Sequence, residues 1–196
     1  MRIGIIGVGN IGGTLAGHFV RVGHEVLVSN SRGPQTLDEL VAELGPKASA
    51  VSAAEAAATG ELVVVSVPLG RYEQLPRDGL TGKVVIDTGN YYPDRDGHFE
   101  ELDSGRLTSS ELVQAHLTGA RVVKAFNAIY WEHLRDMGRG PADPRRIGIP
   151  ISSDDDKAKQ VVSELIDEIG FDEATPDRWQ RAGASTNPAP LSTAPT

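Results

Sequence analysis

Three glycines near the start of the chain have the spacing of a nucleotide-binding turn. Residues 1–12 read MRIGIIGVGNIG, so an apolar run ends in Gly7-x-Gly9-x-x-Gly12 and a helical pattern follows. Gly7 would form the tight turn after a strand, Gly9 would let the backbone approach a pyrophosphate, and Gly12 would allow close packing of helix on strand. The helix that begins near Asn10 would direct its free N–H groups and positive dipole end at the phosphates. The pattern therefore predicts a dinucleotide site.

The end of the predicted second strand, residues 25–30, indicates which dinucleotide binds. Sites for NAD usually place a carboxylate there for the ribose 2′-hydroxyl, but here the next acid is Asp38. The intervening residues Asn30, Ser31 and Arg32 instead supply an amide, a hydroxyl and a guanidinium, which are donors suited to a 2′-phosphate. The alternative is a plain polar turn that binds no phosphate. The Gly-Pro pair that follows favours a turn whether or not a ligand binds there. We expect NADP(H) rather than NAD.

Other polar residues follow later strands, and open α/β sheets bind ligands at the carboxyl ends of their strands. Asp87 and Asn90 lie at the end of one apolar run and Asn127 at the end of the next, so Asn127 is expected to contact a ligand. Asp87 is expected to fix its loop rather than act as a general base, because nothing in the sequence supplies it with a partner. Lys124 is expected to snorkel out of its strand rather than act as a site cation. The polar, turn-rich segment 91–105 is a candidate flap or interface loop.

These residues must be positioned by an alternation of strands and helices along the chain. Apolar and β-branched runs predict strands near residues 2–6, 25–30, 48–51, 62–67, 83–87, 121–126, 146–151 and 171–174. Amphipathic stretches predict helices between them, most strongly at 10–22 and 154–169. The alternation indicates an α/β chain of the Rossmann type with a doubly wound, mostly parallel sheet. We expect an NADP-binding domain at 1–130, a small C-terminal α/β portion at 131–181, and a disordered tail at 182–196, which is uncharged and has almost no apolar bulk.

Composition and charge exclude several classes of function. The chain has 196 residues, a formal net charge of -8 and a pI near 5.1, which argues against nucleic acid as a partner. No apolar run is long enough to span a membrane, and the N-terminus has no signal-peptide pattern, so we expect no membrane partner and a cytoplasmic location. The chain contains no cysteine, which excludes disulfides and thiol nucleophiles.

Neither a metal site nor a catalytic side chain is predicted. The five histidines show no metal-ligand spacing. The acidic cluster at 154–156 is explained by a helix start, where acids are favoured, and Ser153 is expected to cap that helix. The sequence also shows no convincing acid–base dyad or triad.

Taken together, the motifs resemble those of the NADPH-dependent coenzyme F420 reductases (F420-dependent NADP oxidoreductases), and most closely the bacterial NADP oxidoreductase branch of that family. The resemblance runs from Met1 to about Phe171. It rests on GVGNIG at 7–12, SNSRGP at 29–34, VPL at 67–69, DTGNYYP at 87–93, KAFN at 124–127 and SDD at 153–155. It implies that NADPH binds on the glycine-rich edge and that a deazaflavin, coenzyme F420, stacks against the nicotinamide as co-substrate. It also implies a homodimer.

By position, the resemblance implies a role for each stretch. The residues implied to line the pyrophosphate are Val8, Gly9, Asn10 and Ile11. Those implied for the 2′-phosphate are Ser31 and Arg32. Those implied to flank the ribose and nicotinamide are Val67, Pro68 and Leu69. Those implied to lie close to the reacting rings are Asn127 and Ala128.

The C-terminal region departs from the family pattern. Archaeal members continue into a longer apolar segment that helps to form the deazaflavin pocket, whereas residues 175–196 here are polar and Pro-rich. We expect an oxidoreductase that moves a hydride between NADP(H) and a second ring system, with coenzyme F420 as the favoured small-molecule partner. The alternatives are an NADPH-dependent reductase of another acceptor, such as a flavin or quinone, and a non-catalytic NADP(H)-sensing binding module. The sensing module would lack an apolar cleft beside the nicotinamide position.

Overall fold

A computed structural model describes residues 1–174, and its centre is a parallel sheet in the order β3-β2-β1-β4-β5-β6. The strands are β1 (Arg2–Ile6), β2 (Glu25–Ser29), β3 (Ala48–Ala50), β4 (Leu62–Val65), β5 (Val84–Asp87) and β6 (Arg121–Lys124). This is the doubly wound order of a Rossmann fold, in which the strand order reverses between β1 and β4. The predicted fold class is confirmed.

Helices cover both faces of this sheet, which is why its central strands are continuous apolar runs. The helices of the described residues are α1 (Asn10–Arg21), α2 (Asp38–Leu44), α3 (Ala53–Thr59), α4 (Pro93–Asp96), α5 (Glu100–Asp103), α6 (Ser109–His116), α7 (Trp131–Asp136) and α8 (Asp156–Glu168). Alternate residues of β4 enter different hydrophobic clusters: Leu62 and Val64 join the cluster of α1 and α8, whereas Val63 and Val65 join that of α3 and α6. Because side chains alternate across a strand, the two clusters lie on opposite faces.

The C-terminal part of the described chain packs on the same core as the glycine-rich half. It contains β7 (Gly148–Pro150) and β8 (Asp172–Ala174), which pair in parallel, and an antiparallel bridge between Lys124 and Ser152 joins it to the edge of β6. Leu134, Ile149 and Phe171 are fully buried in the cluster that also holds α1. The boundary placed at residue 130 stays a prediction, and the tail at 182–196 lies outside the described residues.

One local prediction, the cap of the C-terminal helix, was wrong. Helix α8 begins at Asp156, and its N-cap is Asp155, whose side chain accepts a hydrogen bond from the Ala158 N–H at 3.0 Å. Ser153 lies in the turn before the helix, where its hydroxyl donates to the Val122 carbonyl at 2.7 Å and accepts the Asp155 N–H at 3.2 Å. The segment 91–105 contains the short helices α4 and α5, and its role as a flap or interface stays a prediction.

No helix within residues 1–174 is both long enough and apolar enough to cross a membrane.

Candidate functional site

The parallel register brings the carboxyl ends of five strands to one edge of the sheet. Ile6 pairs with both Ser29 and Val65, Val65 pairs with Asp87, and Asp87 pairs with Lys124. The segments that follow these positions therefore meet along one edge, where open α/β sheets bind ligands. Every cofactor residue predicted from the sequence lies in one of these segments, and their contact with a cofactor stays a prediction.

The turn after β1 leaves no space for side chains at two of its three glycines. Gly7 has a φ of 97°, and an added Cβ would lie 2.3 Å from the Ser66 carbonyl oxygen. A Cβ at Gly12 would lie 1.9 Å from the Gly7 carbonyl oxygen, so α1 can approach β1 only because residue 12 has no side chain. At Gly9, by contrast, no atom of residues 1–174 lies within 4 Å of an added Cβ. Packing therefore does not require a glycine at position 9. A glycine that packing does not require is expected where a pyrophosphate approaches the backbone.

The first turn of α1 is open to an anion. Gly9 is the N-cap residue and gives no side-chain cap, and the first turn contains no acid. The N–H groups of this turn therefore have no side-chain acceptor, and they coincide with the positive end of the helix dipole. Gly9 and Asn10 are exposed, whereas Val8 and Ile11 are half-buried and pack against the core beneath them.

The three residues predicted in the turn after β2 have two different roles. The Asn30 side chain shapes the turn, because its Nδ2 donates to the Thr36 hydroxyl at 2.8 Å and its Oδ1 accepts the Arg32 N–H at 2.9 Å. Ser31 and Arg32 are exposed, and neither side chain has a hydrogen-bond or ion-pair partner among residues 1–174. The guanidinium is therefore available to an anion at this end of the site.

After β4 the chain turns into a 3-10 helix at Leu69–Gln74. Val67 is half-buried and Pro68 is exposed at the sheet edge. The Leu69 side chain is buried within the core, so only its backbone could face a ligand.

Two asparagines link the exits of β5 and β6. Asn90 Nδ2 donates to the Asn127 carbonyl at 2.8 Å, and Asn127 Nδ2 donates to Asn90 Oδ1 at 3.2 Å. Phe126, which lies between β6 and Asn127, has a φ of 63° and is buried. Left-handed backbone at a bulky residue is strained, and such strain is concentrated at functional sites. Ala128 follows the pair and is exposed.

A buried ion pair lies beneath these loops, and the prediction for Lys124 was wrong. Lys124 does not snorkel to the surface: its Nζ lies 2.9 Å from Asp87 Oδ2 and also donates to the Gly89 carbonyl. Asp87 in turn accepts the Gly89 N–H at 2.8 Å and the Ser110 hydroxyl at 2.8 Å. The expected loop-fixing role of Asp87 agrees with this geometry, because the pair holds both the N–H and the carbonyl of the residue before Asn90.

A second carboxylate was missed by the sequence reasoning. The Asp96 side chain is fully buried and accepts hydrogen bonds from Arg95 and from the N–H groups of Tyr92 and Gly70. Burial would raise its pKa, but these hydrogen bonds outweigh burial and hold the pKa of Asp96 below its usual range. It thereby ties the loop after β4 to the loop after β5. The position of Asp96 within a polar segment gave no sign that it would be buried.

A cleft of about 660 Å³ opens beside Asn127 and runs along the edge of β6. Its walls are mostly polar and carry both cations and carboxylates, while Tyr91, Leu102 and Leu107 contribute apolar surface. Volumes of 300 to 1,000 Å³ are typical of small-molecule sites. Among residues 1–174, no group of three or more His, Asp or Glu side chains is arranged to hold a metal ion.

The solved structures that match this chain include two with the same TM-score over most of its length. A hypothetical protein from Sinorhizobium meliloti is 28% identical, with a TM-score of 0.75, and the match covers 89% of this chain and 83% of that protein. A protein from Arthrobacter sp. FB24, provisionally described as an F420-dependent NADP reductase, is 25% identical with a TM-score of 0.75, and the match covers 88% and 82%. The 3-hydroxyisobutyrate dehydrogenase of Mycobacterium tuberculosis is 16% identical, with a TM-score of 0.60 over 88% of this chain and 53% of the enzyme, and shows a shared fold alone.

The family comparison covers the part of the chain that carries the glycine turn and the exits of β2, β4 and β5. Residues 2–91 match the family model described as NADP oxidoreductase, coenzyme F420-dependent. With the two structural matches at 28% and 25% identity, this agrees with the resemblance seen in the motifs. Residues 2–91 therefore have the sequence pattern of the coenzyme F420-dependent NADP oxidoreductases, and the comparisons identify the chain as an NADP-dependent oxidoreductase.

Proposed function

We propose that this oxidoreductase transfers a hydride between NADP(H) and coenzyme F420 at the carboxyl edge of its sheet. The observation that carries the proposal is the match of residues 2–91 to a family whose description contains both cofactors. The glycine turn supports it, because Gly9 faces open space beside an uncapped helix N-terminus. An approaching pyrophosphate would find backbone N–H groups and a positive dipole at that position.

The turn after β2 supports a preference for NADP over NAD. The exposed Arg32 guanidinium is the charged donor there, and no carboxylate stands before Asp38 to repel a 2′-phosphate. Arg can hold a phosphate through two parallel hydrogen bonds. We assign the 2′-phosphate to Ser31 and Arg32, with Asn30 shaping the turn.

The protein's contribution to this reaction is binding and orientation, since a reduced nicotinamide itself supplies the hydride. The reciprocal hydrogen bonds between Asn90 and Asn127 hold the exits of β5 and β6 together where the reacting rings would meet. Rings held face to face at roughly 3–3.5 Å are in a near-attack geometry and need no protein nucleophile. We therefore assign no side chain as a general acid or base.

The cleft beside Asn127 supports an enzyme over a non-catalytic sensor by its size and position, although its walls are less apolar than we expected for an enzyme. It is adjacent to the expected nicotinamide position and large enough for a second small molecule. Its open, mostly polar walls also suit a flavin or a quinone, so an NADPH-dependent reductase of another acceptor is the second candidate. The homodimer and the cytoplasmic location are further proposals that rest on the resemblance and on the sequence.

The proposal is tested by titrating the purified protein with NADPH and NADH and then adding oxidised coenzyme F420 while its absorbance is followed. Loss of the F420 absorbance with NADPH would establish both partners in one experiment. Tight NADPH binding without any loss of absorbance would overturn F420 as the acceptor and direct attention to flavins and quinones.

The cofactor preference has its own test in Arg32→Ala. Removing one bidentate phosphate contact should weaken NADPH binding by roughly 10- to 100-fold, since hydrogen bonds to charged groups contribute about 1.5–3 kcal/mol each. Binding of NADH should change little, because it has no 2′-phosphate. Equal losses for both cofactors would contradict the assignment of Arg32.

A further inference from the structure

Tyr92 places an exposed aromatic ring at the edge where the cofactor is proposed to bind. Half of the residue is accessible (50%), although large aromatic side chains usually bury most of their surface. The Arg95 guanidinium lies over the ring, with its central carbon 4.8 Å from the ring centroid. A cation in this position packs against one face of the tyrosine ring, so a stacking ligand would use the opposite face.

The ring is held in place by a network that does not depend on a ligand. The buried Asp96 carboxylate accepts the Tyr92 N–H at 2.9 Å, the Gly70 N–H at 3.2 Å and two hydrogen bonds from Arg95 at 2.8 Å. Arg95 also donates to the Asn90 carbonyl at 2.8 Å. Gly70 fits only because it has no side chain, since an added Cβ would lie 2.7 Å from the Asp96 carbonyl oxygen. Such support reduces the entropy that a binding surface would lose when a ligand arrives.

The position of the ring relates it to the proposed reaction centre. Asn90 Nδ2 lies 3.4 Å from the Tyr92 hydroxyl, and the same nitrogen donates to the Asn127 carbonyl at 2.8 Å. Asn127 lines the cleft beside β6. Tyr92 does not itself line the cleft, but its hydroxyl contacts Asn90, which is hydrogen-bonded to the cleft residue Asn127.

We propose that Tyr92 is the platform on which the ring system of the hydride acceptor stacks, with Arg95 and Asp96 as positioning residues. The inference rests on the proposed function, because it assumes an acceptor beside the Asn90–Asn127 pair. It specifies a chemical class, namely planar heteroaromatic rings such as deazaflavins and flavins. Such rings gain from a rigid aromatic surface, whereas a small aliphatic carbonyl compound presents no face to stack.

The test compares three variants of the full chain, each saturated with NADP⁺. Tyr92→Leu removes the ring, and Tyr92→Phe keeps it without the hydroxyl. Tyr130→Leu is the matched control, because Tyr130 is similarly exposed (56%) after the neighbouring strand but has no such network among residues 1–174. The fluorescence of two probes, oxidised coenzyme F420 and FMN, reports ring binding, and NADPH affinity and the KM and kcat for hydride transfer are measured in parallel.

We expect Tyr92→Leu to weaken ring binding about ten-fold, which is the effect of losing one stacking partner. NADPH affinity should stay within about two-fold of wild type, since stacking of the acceptor does not involve the dinucleotide, and the KM for the acceptor should rise more than kcat falls. Tyr92→Phe and Tyr130→Leu should resemble wild type.

The outcomes separate this inference from the proposed function. Wild-type reduction of FMN but not F420, with the same loss in Tyr92→Leu, would support the platform and overturn F420 as the acceptor. Reduction of F420 with unchanged ring binding in Tyr92→Leu, or with equal losses in Tyr130→Leu, would overturn the platform and leave the function standing. Failure of the wild type to bind either ring would overturn both.

Discussion

Gly9 and Gly12 lie three residues apart in one turn, yet a side chain would have different consequences at each. A methyl group at position 12 would collide with the Gly7 carbonyl, whereas at position 9 it would project into open space. Gly9 is therefore required only if a ligand occupies that space, whereas Gly12 is required by the fold itself. The sequence alone could not distinguish these two requirements, because both positions are occupied by glycine.

We therefore predict that Gly9→Ala folds normally but loses NADPH affinity. Its melting temperature should stay close to wild type, while the added methyl group occupies the space assigned to the pyrophosphate. The measurements are thermal unfolding without ligand and NADPH titration. The matched control is Gly13→Ala, one turn further along, where a Cβ would lie 3.8 Å from its nearest neighbour. There alanine should stabilise α1 by up to about 1 kcal/mol through helix propensity and leave binding intact. Normal NADPH affinity in Gly9→Ala would contradict the assignment of this turn.

At the scale of elements, the buried side chain of His18 in α1 connects this helix to α7 by a hydrogen bond. It is 2% exposed, and its Nε2 lies 2.6 Å from the Leu134 carbonyl, while its Nδ1 contacts the Arg21 guanidinium. Since the guanidinium can only donate, Nδ1 must be the acceptor and Nε2 the donor, which is a neutral imidazole. Burial lowers the pKa of His18, and Arg21 lowers it further, although the bond to Leu134 opposes both.

This geometry predicts a loss of stability with acid. Because the folded-state pKa lies below the unfolded value of 6.5, the unfolded chain binds protons more readily between those values. The contribution of His18 is thus fully present above about pH 6.5 and decreases as the pH falls below it. Urea unfolding at pH 7.5, 6.5 and 5.5 would measure this slope. His18→Gln keeps a donor for Leu134 and should flatten the slope, and an unchanged slope would argue against His18 as the titrating group.

The ion pair of Asp87 and Lys124 connects β5, β6 and α6. Its carboxylate side chain is 3% exposed and its ammonium side chain 15%, so neither charge is well solvated by water. We predict that Asp87→Asn or Lys124→Met alone costs about 3 kcal/mol, because each leaves a buried charge without its partner. The double variant should be less destabilised than the sum of the two, which denaturant unfolding of all four proteins would show. Additive losses would mean that the two charges do not interact.

The contrast between these elements shows what the sequence could predict. Strand positions and the polar residues at their ends follow from local apolar runs, so the edge that carries Gly7, Arg32 and Asn127 could be foreseen. The partner of Lys124 could not, because it depends on the register between β5 and β6, which places Asp87 directly opposite Lys124. Burial of Asp96 depends in the same way on how α4 packs against the loop at Gly70. Long-range pairing therefore determined the contacts that local patterns missed.

At the scale of the whole molecule, the glycine-rich half and the C-terminal part share one hydrophobic cluster. Phe171, which precedes β8, is fully buried in the same cluster as Leu15 and Phe19 of α1, and its ring meets the His18 ring edge-on at 6.2 Å. A shared core implies that the described residues unfold together, whatever boundary the sequence suggests at residue 130.

We predict that Phe171→Ala destabilises the entire fold and leaves a single unfolding transition. Truncating a buried phenylalanine costs about 3–5 kcal/mol, which for a chain of this size lowers the melting temperature by roughly 10 °C. Calorimetry with and without NADPH would test this, since a ligand held by the glycine-rich half should raise the temperature of the one transition. Leu107→Ala is a control on an exposed residue and should change stability by less than about 0.5 kcal/mol. A second transition that is insensitive to NADPH would contradict this and show that the C-terminal part unfolds independently. Ligand binding stabilises only the unit that holds the ligand, so an independent unit would keep its melting temperature.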